Sequence, residues 1–577
     1  MGTVSIDSKN RKKIIAIGFM VFAAAFLVYV NTLLNDFIWD DEYLILHNSQ
    51  VQSFKHIGNV FKTYVGYGSE NINNFYRPFQ EVSNMLNFFL WGEHPFGFHL
   101  TSVVLHALVS VLVFLLIFYL AGDIMVAAIA AFFYAVHPVH SEAVAYIAGQ
   151  ADPLYSAFML LSLILFIRSA NKTIEGKKGG TLYIFSIIFF IFSLLSKEIV
   201  IVFPLVLLVY IFYFIKGKVN GEIYKKLRWR WVPYAAIVGI YAYLRLTVLN
   251  FSKIAPPLAF EKIPLALRIL TFFRSVGIYL RLLVFPYDLH MERRIAIAKS
   301  AAEPLSILTL VMIILLIWLI GKTYKKQRLV SFAIIWFFIC LLPVSNVVPI
   351  NSFLAEHWIY MASIGPFLLL GLGSTIIYRK FCRGNIKRIL FILLISGLLS
   401  TYSLITVMRN ADWKDEITFF ESTLRYHPTN TRLYLNMGNT YYEKGEIDKA
   451  IEQYEKAIAI NPGYAIAYGN IGSAYMNKKD IGKAEEYLVK ALKLKYNYPI
   501  AHYNLGIVYF QKRRYKEALG ELSITIEQLP QFYQAWNVMG QVYLKLGDTD
   551  KAKNAFNRSL EIMPDQVNIR KILNHLR

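Results

Sequence analysis

Long apolar runs alternate with short polar or charged segments through the first two thirds of the chain. Several of these runs exceed about 18 residues, a length that crosses the hydrocarbon core of a bilayer. We predict eleven membrane-spanning helices, over 14–34, 98–120, 123–137, 149–168, 181–196, 199–215, 232–250, 304–321, 329–350, 358–378 and 388–408. The segment 264–287 is also apolar but carries Arg268, Arg274 and Arg281, so we expect an amphipathic helix along the membrane interface. The pattern predicts an all-α, polytopic membrane domain over residues 1–408.

From residue 409 onwards the composition becomes that of a soluble helical protein, and several residue types recur with a period of 34. The recurring sets are Gly438, Gly472, Gly506 and Gly540; Tyr441, Tyr475, Tyr509 and Tyr543; Ala450, Ala484, Ala518 and Ala552; and Pro428, Pro462, Tyr496, Pro530 and Pro564. Small residues at fixed positions let paired helices approach closely, while tyrosine fills the space between them. The pattern resembles the tetratricopeptide repeat (TPR). We predict an α-solenoid of about four repeats over 409–577, with a degenerate leading helix.

The composition excludes an ordinary soluble enzyme, because 56% of the 577 residues are hydrophobic and 17% are charged. Only two cysteines occur, Cys340 and Cys382, which excludes a disulfide framework or a cysteine zinc site. The first apolar run lacks a small-residue cleavage site, so we expect it to remain as a helix.

The net charge of +22 lies mainly in short loops between the apolar runs. The basic clusters are Lys9–Lys13, Arg168–Lys178, Lys216–Arg230, Lys322–Arg328 and Arg379–Arg388. All of them fall on one side of the predicted topology, which the positive-inside rule identifies as the cytoplasm. We therefore expect a membrane protein with no nucleic-acid partner, a cytoplasmic N-terminus and an extracytoplasmic repeat array. The bacterial inner membrane is preferred to the endoplasmic reticulum.

Asp40, Asp41 and Glu42 follow the first predicted span and would face outward. Other ionisable residues lie at span ends on the same side: Arg77, His137, His140, Glu142, Asp152, Lys197, Glu198, Asp288, His290, Glu292, Arg293, Arg294, Glu356 and His357. Charges near hydrocarbon are costly, and they are commonly paired or functional. Their convergence on one face favours a functional site.

Each group also has an ordinary structural explanation. The acidic stretch would cap an interfacial helix or stand in water, and Arg77 would anchor a loop at lipid headgroups. His137 and His140 have a metal-like spacing, but Pro138 interrupts it, and hydrogen-bonded loop histidines are the common case. Lys197 and Glu198 would form an ion pair within a hairpin. The sequence contains no P-loop, dinucleotide-binding glycine motif or serine elbow.

Several motifs in one order resemble the transmembrane, TPR-bearing protein O-mannosyltransferases of the GT-C superfamily. They are "FIWDDE", "YRPF", "FHLTSVVLHALVSV", "AVHPVHSEAVAYIAGQAD", "LLSKE", "LAEHWIYMASIG" and "RNADWKDE". The resemblance covers nearly the whole chain, and it places the family's outer acidic pair on Asp40 and Asp41. Gln150 and His357 depart from the pattern of the family that the chain resembles, in which arginine is expected at both positions. Both departures remove a cation near the site, so the donor phosphate would be held differently, or the sugar would differ.

The resemblance implies transfer of one sugar from a polyprenyl-phosphate donor to a protein hydroxyl outside the membrane. A hydroxyl nucleophile needs a carboxylate base, for which Asp41 or Asp40 is the candidate. The departing lipid phosphate needs cations, for which Arg77, Lys197, Arg293 and Arg294 are candidates. The wider donor site would include His137, His140, Glu142, Glu198, Glu356 and His357. We expect inversion at the anomeric carbon and no certain cofactor, and a divalent metal on the acidic pair stays open.

Two other classes of protein compete with this interpretation. A membrane-anchored TPR scaffold for envelope assembly would need only one span, and the acidic and basic residues at the span ends would then have no function. A transporter or lipid flippase would place ionisable residues near the middle of spans. Most lie at span ends here, although Arg245, late in the seventh span, is an exception.

The repeat array is the predicted acceptor-binding module. Asn and Tyr recur early in each first helix, where such arrays expose their inner surface: Asn436, Asn470, Asn504 and Asn537, with Tyr434, Tyr468 and Tyr503. Asparagine hydrogen-bonds a peptide backbone without demanding one sequence, and tyrosine supplies flat apolar contact. Alternatively, some of these residues pack between repeats.

Overall fold

A computed structural model describes residues 8–69, 73–217, 219–251, 262–293 and 295–576. Every regular element in these ranges is a helix, which confirms the predicted all-α class. The chain divides into two compact units, Met1–Phe419 and Phe420–Arg577. The predicted division between residues 408 and 409 falls inside a long helix, Asn385–Ala411, and stays a prediction.

Apolar helices and short connecting turns make up the first unit. In chain order the α-helices are α1 Ser8–Tyr29, α2 Ile57–Val60, α3 Pro78–Trp91, α4 Pro95–Ala121, α5 Ile124–Val136, α6 Ser141–Ala145, α7 Ala151–Ile174, α8 Gly180–Ser196, α9 Phe203–Tyr210, α10 Gly221–Leu227, α11 Val232–Leu246, α12 Leu265–Leu282, α13 Pro304–Thr323, α14 Arg328–Leu341, α15 Ile359–Ala362, α16 Ile364–Phe381 and α17 Asn385–Ala411. Helix α18, Glu416–Leu424, contains the division between the units. Tighter or wider single turns occur at Val30–Leu34, Glu42–Leu46, Phe54–His56, Pro138–His140, Ile147–Gln150, Glu198–Val202, Ile211–Ile215, Leu342–Val344 and Glu356–Trp358.

Among the described residues, six helical stretches are long and apolar enough to cross a membrane: Arg11–Leu34, Pro95–Ala121, Ile147–Ile174, Glu198–Ile215, Pro304–Thr323 and Asn385–Ala411. Two bent pairs raise the number to eight, Ile124–Val136 with Pro138–Ala145 at 53° and Glu356–Ala362 with Ile364–Phe381 at 55°. Gly180–Ser196 and Arg328–Val344 are shorter apolar helices. The chain is therefore a multi-pass membrane protein, while the count of eleven spans stays a prediction.

Helix α4 lies at the centre of the first unit, in contact with α1, α5 and α7. The core extends outward from it, because α5 also packs on α16, α7 on α8, and α14 on α16. Helices α13 and α17 differ, since only 11% of the apolar stretch of each is buried. Exposed faces this apolar are suited to lipid rather than to water.

Helix α12 covers most of the segment predicted to lie at the interface. Its Arg274 is buried, and the guanidinium contacts Glu303 and the Ser306 hydroxyl. Arg268 donates to the carbonyl of Asn346 at 2.8 Å. These contacts show why α12 tolerates arginines among its apolar residues, and its interfacial position stays a prediction.

The second unit consists of paired antiparallel helices, as the 34-residue period predicts. They are α19 Thr431–Glu443, α20 Ile447–Ile460, α21 Ala465–Asn477, α22 Ile481–Leu494, α23 Pro499–Gln511, α24 Tyr515–Gln528, α25 Tyr533–Lys545 and α26 Thr549–Ile562, followed by α27 Val567–His575. The four recurring alanines are fully buried. A Cβ atom at Gly438 would lie 2.4 Å from the Tyr454 ring, and one at Gly472 would lie 2.6 Å from Leu488. The recurring glycines are therefore where paired helices touch, which confirms the repeat assignment.

We predict opposite effects for two alanine substitutions in this array. Gly472→Ala should destabilise α21 and α22 by about 1–3 kcal/mol, because the added methyl overlaps a packed leucine. Gly520→Ala is the matched control, since nothing lies within 4 Å of its Cβ position in α24. It should stabilise its helix by up to about 1 kcal/mol. Hydrogen exchange of the array amides in the full chain measures both, and equal protection in the two variants would contradict the packing.

Candidate functional site

The acidic stretch lies in the loop that links α1 and its final turn to the turn Glu42–Leu46. Asp41 is fully buried, and both of its carboxylate oxygens accept backbone N–H groups. Oδ2 accepts from Ile38 at 3.1 Å and Oδ1 accepts from Ala148 at 2.8 Å. Burial raises the pKa of Asp41 well above its ordinary value. Asp41 thus ties the acidic loop to the turn that precedes α7.

Asp40 has a different environment. Its side chain is partly exposed and accepts a hydrogen bond from the Tyr43 hydroxyl. Its backbone N–H donates to the Tyr146 hydroxyl at 3.2 Å. Of the two aspartates, Asp40 is therefore the one that a ligand can reach.

An open cavity of about 1100 Å³ begins beside Tyr43. Its lining consists of Tyr43, His47, Ser49, Gln50, His56, Asn59, Tyr67, Gly68 and Ser69. These residues supply two imidazole rings, two phenol rings, amides and hydroxyls, with no carboxylate, lysine or arginine among them. Such a lining offers hydrogen-bond donors and acceptors to a polar ligand.

Glu81, on α3, is hydrogen-bonded to residues that adjoin the cavity lining in sequence. The side chain is 2% exposed, and it accepts from the Gly66 N–H at 3.1 Å and from the Asn48 amide at 3.5 Å. Asn48 in turn accepts from the Gln50 N–H. Burial raises the pKa of Glu81 to about 7.

The segment after α17 also reaches the acidic loop. Trp39 has a left-handed backbone conformation with φ of 54°, which is strained for an aromatic residue. Its N–H donates to Glu416 at 3.2 Å. The buried Trp413 ring stacks on Tyr146 with centroids 5.4 Å apart, and the Arg409 guanidinium lies 5.2 Å from the centre of the Trp413 ring.

Arg409 belongs to a buried group of arginines and carboxylates. The arginines are Arg281, Arg293 and Arg409, and the carboxylates are Glu142, Asp288, Glu356 and Asp412. Glu356 is 3.3 Å from Arg293 and 4.0 Å from Arg409, and it accepts from the His290 N–H at 2.8 Å. His357 also belongs to this group through Glu142, so four basic side chains face four carboxylates. Each arginine already contacts a carboxylate, so a phosphate would have to displace one in order to bind here.

A second charged group joins α3, α7 and the hairpin after α8. Arg77 makes a bidentate contact with Glu198 at 2.6 and 2.9 Å, and Lys197 contacts both oxygens of Asp152 at 2.7 and 2.8 Å. Burial lowers the pKa of Lys197, and Asp152 acts in the opposite direction. Glu198 is 39% exposed, against 1% for Asp152, so the Arg77 pair is the one that a ligand can open.

The two histidines of the "HPVH" motif are both fully buried. His137 is 3.2 Å from the Leu283 carbonyl, and His140 is 2.9 Å from the Tyr134 carbonyl and 3.0 Å from the Ser363 hydroxyl. These contacts match the hydrogen-bonded alternative described for them. Among the described residues, no group of three or more His, Cys, Asp or Glu side chains could hold a metal ion.

The two departures from the family pattern have partners of their own. Gln150 is buried, where it donates to Ser102 at 3.1 Å and accepts from Ser83 at 2.9 Å. His357 lies 2.7 Å from Glu142, which also accepts the His357 N–H. Arg294 lies outside the described residues.

Sequence reasoning brought Asp40 and Asp41 together but missed Tyr43, Tyr146, Trp413 and Arg409. The motif "RNADWKDE" contains two of these, and the signal was its occurrence immediately after the last apolar run. Tyr146 lies inside the most specific motif but carries no charge, so a search for ionisable residues passes over it.

Within the second unit, the predicted acceptor-binding asparagines are half-buried. Three of them donate to side chains of other helices: Asn470 to Asn439 at 2.8 Å, Asn504 to Ser473 at 2.8 Å and Asn537 to Gln566 at 2.7 Å. Tyr468 is buried, whereas Tyr434 and Tyr503 pack at the edge of hydrophobic clusters. These side chains therefore contribute to packing within the array, and acceptor binding by them stays a prediction.

Comparison with known proteins identifies relatives for both parts of the chain. A TPR-repeat model matches residues 438–479, and tetratricopeptide-repeat models match 470–531 and 533–566. A protein O-mannosyl-transferase of Caenorhabditis elegans is 26% identical over 494 residues, 79% of this chain and 64% of the relative. The protein O-mannosyl-transferase TMTC4 of Homo sapiens is 26% identical over 497 residues, 75% of this chain and 65% of the relative. A crystal structure of the MamA protein is similar at 30% identity, covering 25% of this chain and 80% of that chain with a TM-score of 0.24.

The two protein O-mannosyl-transferases confirm the resemblance drawn from the sequence motifs, and the repeat models confirm the TPR array. The chain spans less than two thirds of the length of the two relatives just described.

The buried Glu81 should make stability depend on pH. Its pKa is about 4.5 when exposed and about 7 in the folded protein, so folding favours the protonated form. The free energy of unfolding should therefore fall as the pH rises from 4.5 to 7, by on the order of 2–3 kcal/mol. Glu81→Gln should remove this loss, while Glu93→Gln, at an exposed position just after α3, should leave it as in the unmodified protein. Thermal unfolding at pH 5 and pH 8 tests this, and an unchanged pH dependence in Glu81→Gln would contradict it.

Proposed function

We propose that this chain, whose relatives are protein O-mannosyl-transferases, transfers one sugar from a polyprenyl-phosphate donor to serine or threonine hydroxyls. The observation that carries the proposal is the position of Asp40. Its carboxylate is the more exposed of the two aspartates, and it accepts a hydrogen bond from Tyr43, which lines the polar cavity. A hydroxyl-bearing segment in that cavity would bring its oxygen to the carboxylate without an unfavourable charge.

Asp40 acts as the general base in this proposal. It accepts the proton of the acceptor hydroxyl while that oxygen forms the bond to the anomeric carbon of the donor sugar. The bond from the anomeric carbon to the lipid phosphate breaks with its electrons on the phosphate, which leaves as an anion. Attack opposite to the leaving group inverts the anomeric centre. Asp41 is a positioning residue, because both of its oxygens hold the loop through backbone N–H groups.

The leaving phosphate needs positive charge, and Arg77 is the predicted cation best placed to supply it. A guanidinium that binds a carboxylate in bidentate fashion can bind two phosphate oxygens in the same geometry. Glu198 is the exposed partner in that pair, so donor binding would displace Glu198 and leave the more deeply buried Lys197–Asp152 pair intact. The intact Lys197–Asp152 pair carries no net charge, and it holds the hairpin after α8 against α7.

A metal ion on the acidic pair would use carboxylate oxygens from both residues. Those of Asp41 each accept one backbone N–H group, and each oxygen keeps a second lone pair. The proposed steps use only side chains of the chain itself.

The proposed topology places the acidic loop and the repeat array on the extracytoplasmic side. The support is the concentration of lysine and arginine in the loops of the opposite side. The array would hold the protein acceptor, and so raise its effective concentration at the membrane unit. The relatives are named as mannosyl-transferases, so we take mannose as the transferred sugar.

Asp40→Asn should reduce transfer by about 10²–10⁴-fold with little change in folding, because the amide cannot accept the proton. It can still accept the Tyr43 hydrogen bond. Asp41→Asn should lower both activity and thermal stability, because its amide would face a backbone donor. Asp36→Asn, at an exposed position in the same loop, is the matched control and should retain normal transfer.

The assay for these variants measures radiolabelled sugar transfer to secreted protein in membranes containing each of them. Normal transfer by folded Asp40→Asn would refute the assignment. If the unmodified protein itself transfers no sugar, the scaffold interpretation replaces the enzymatic one.

Deleting residues 430–577 should separate acceptor binding from chemistry. Transfer to the native protein acceptor should fall at least about 100-fold, in line with the usual loss of effective concentration. Transfer to a small hydroxyl acceptor should continue, because the acidic loop and charged pairs lie in the first unit. Parallel assays with both acceptors, on protein shown to be folded, make the comparison. Undiminished modification of the native acceptor would show that the array serves another purpose.

A further inference from the structure

Helix α11 presents an unusually exposed apolar surface near its C-terminal end. Tyr234 is its only buried residue within the described helix. Ile240, Tyr243, Leu246 and Val248 are between 61% and 75% exposed. Hydrocarbon chains cover such a surface more favourably than water does.

Arg245 lies in the last turn of this helix. It donates to the Asn74 carbonyl at 2.6 Å and to the Asn74 side chain at 3.1 Å, and it also contacts the Leu249 carbonyl. The rings of Tyr76 and Phe251 lie 5.9 and 5.4 Å from the guanidinium. These partners are neutral. In the part of the chain that the structure describes, no carboxylate pairs with Arg245.

The other candidate cations contrast with Arg245. Arg77, Lys197, Arg293 and Arg409 each contact at least one carboxylate. A guanidinium has five N–H groups, and the three hydrogen bonds of Arg245 leave two for a ligand. Unpaired charge beside an apolar surface is costly, so its presence indicates that an anion binds there.

Two neighbouring residues extend this positive region. The Tyr241 hydroxyl is buried and has no hydrogen-bond partner among the described residues. Its ring centre is 6.3 Å from that of Tyr76, the residue before Arg77, and the Tyr76 ring also lies 5.9 Å from the Arg245 guanidinium. Arg77 and Arg245 together carry two positive charges against one negative charge on Glu198. The region therefore has an excess positive charge and an unused hydroxyl donor.

We propose that the C-terminal end of α11 binds the phosphate of the lipid donor, with Arg245 as its anchor and the polyprenyl chain along the exposed face of the helix. The Tyr241 hydroxyl donates a further hydrogen bond, and Arg77 completes the site when the phosphate displaces Glu198. The inference rests on the proposed function for the identity of the lipid. The same chemistry would attract free phosphate, but an exposed apolar face next to the cation specifies an anion that carries a hydrocarbon chain.

The test measures binding of farnesyl phosphate, which carries no sugar, to the full chain in phosphatidylcholine nanodiscs. Arg245→Gln should weaken binding at least about 10-fold, as expected for loss of a hydrogen bond to a charged group. Arg245→Lys should restore part of the affinity, because it keeps the charge but not the planar fork. Arg228→Gln is the matched control, because Arg228 also lies over an aromatic ring, Trp229, and has no ion pair among the described residues. The affinity of Arg228→Gln for farnesyl phosphate should be unchanged.

Farnesol has the hydrocarbon chain without the anion, and inorganic phosphate has the anion without the chain, so together they test the apolar face and the cation separately. Each should bind at least about 10-fold more weakly than farnesyl phosphate. Equal affinity of Arg245→Gln and the unmodified protein, with both shown to be folded, overturns the inference. Inorganic phosphate that binds as tightly as farnesyl phosphate overturns the lipid assignment. Binding of farnesyl phosphate requires neither sugar nor acceptor. The binding result therefore stands independently of whether the chain transfers a sugar. In the transfer assay, Arg245→Gln should raise KM for the donor and leave kcat nearly unchanged.

Discussion

A charge next to hydrocarbon must be matched by another charge or by hydrogen bonds, and the first unit is organised by this constraint. Lys197 and Asp152 are 7% and 1% exposed, and each would be strongly destabilising without the other. The same holds for Glu356, which lies between Arg293 and Arg409. Each pair joins segments that are far apart in the chain. The apolar helices supply a frame, and the charged pairs determine where its connecting loops lie.

The same constraint limits where a charged ligand can bind. A group in which every cation already has a carboxylate must lose one of those contacts before it can hold a phosphate. The group around Glu356 is poorly suited to this, because each of its arginines contacts a carboxylate that is at most 28% exposed. Arg77 and Arg245 are better suited, since the first has a more exposed partner and the second has only neutral partners. The proposed anion positions and the proposed hydroxyl position at Asp40 are thus chemically distinct.

Much of this architecture was predictable from the sequence, because it depends on periodicity. The repeat array follows from glycines and alanines at a 34-residue spacing, and the apolar helices follow from hydropathy. The difference between Asp40 and Asp41 was not predictable, since adjacent identical residues carry no signal about which one is enclosed. Arg409 was also missed as a site residue, because its role depends on a three-dimensional contact with Trp413 and Glu356. Sequence analysis finds the members of a charged group, whereas their pairing depends on the fold.

The acidic loop depends on the segment that follows the last membrane helix. Trp39 adopts a left-handed conformation that costs about 1–3 kcal/mol for a residue with a side chain. Three contacts offset this cost: Glu416 accepts the Trp39 N–H, the Lys414 carbonyl accepts the Asp36 N–H, and the Phe419 ring packs on the Trp39 ring. This strained residue directly precedes Asp40, whose side chain is partly exposed, and Asp41, whose side chain is buried. A residue nearly 400 positions away in the sequence thus helps to decide which aspartate can meet a ligand, and the loop cannot be understood apart from the segment 413–419.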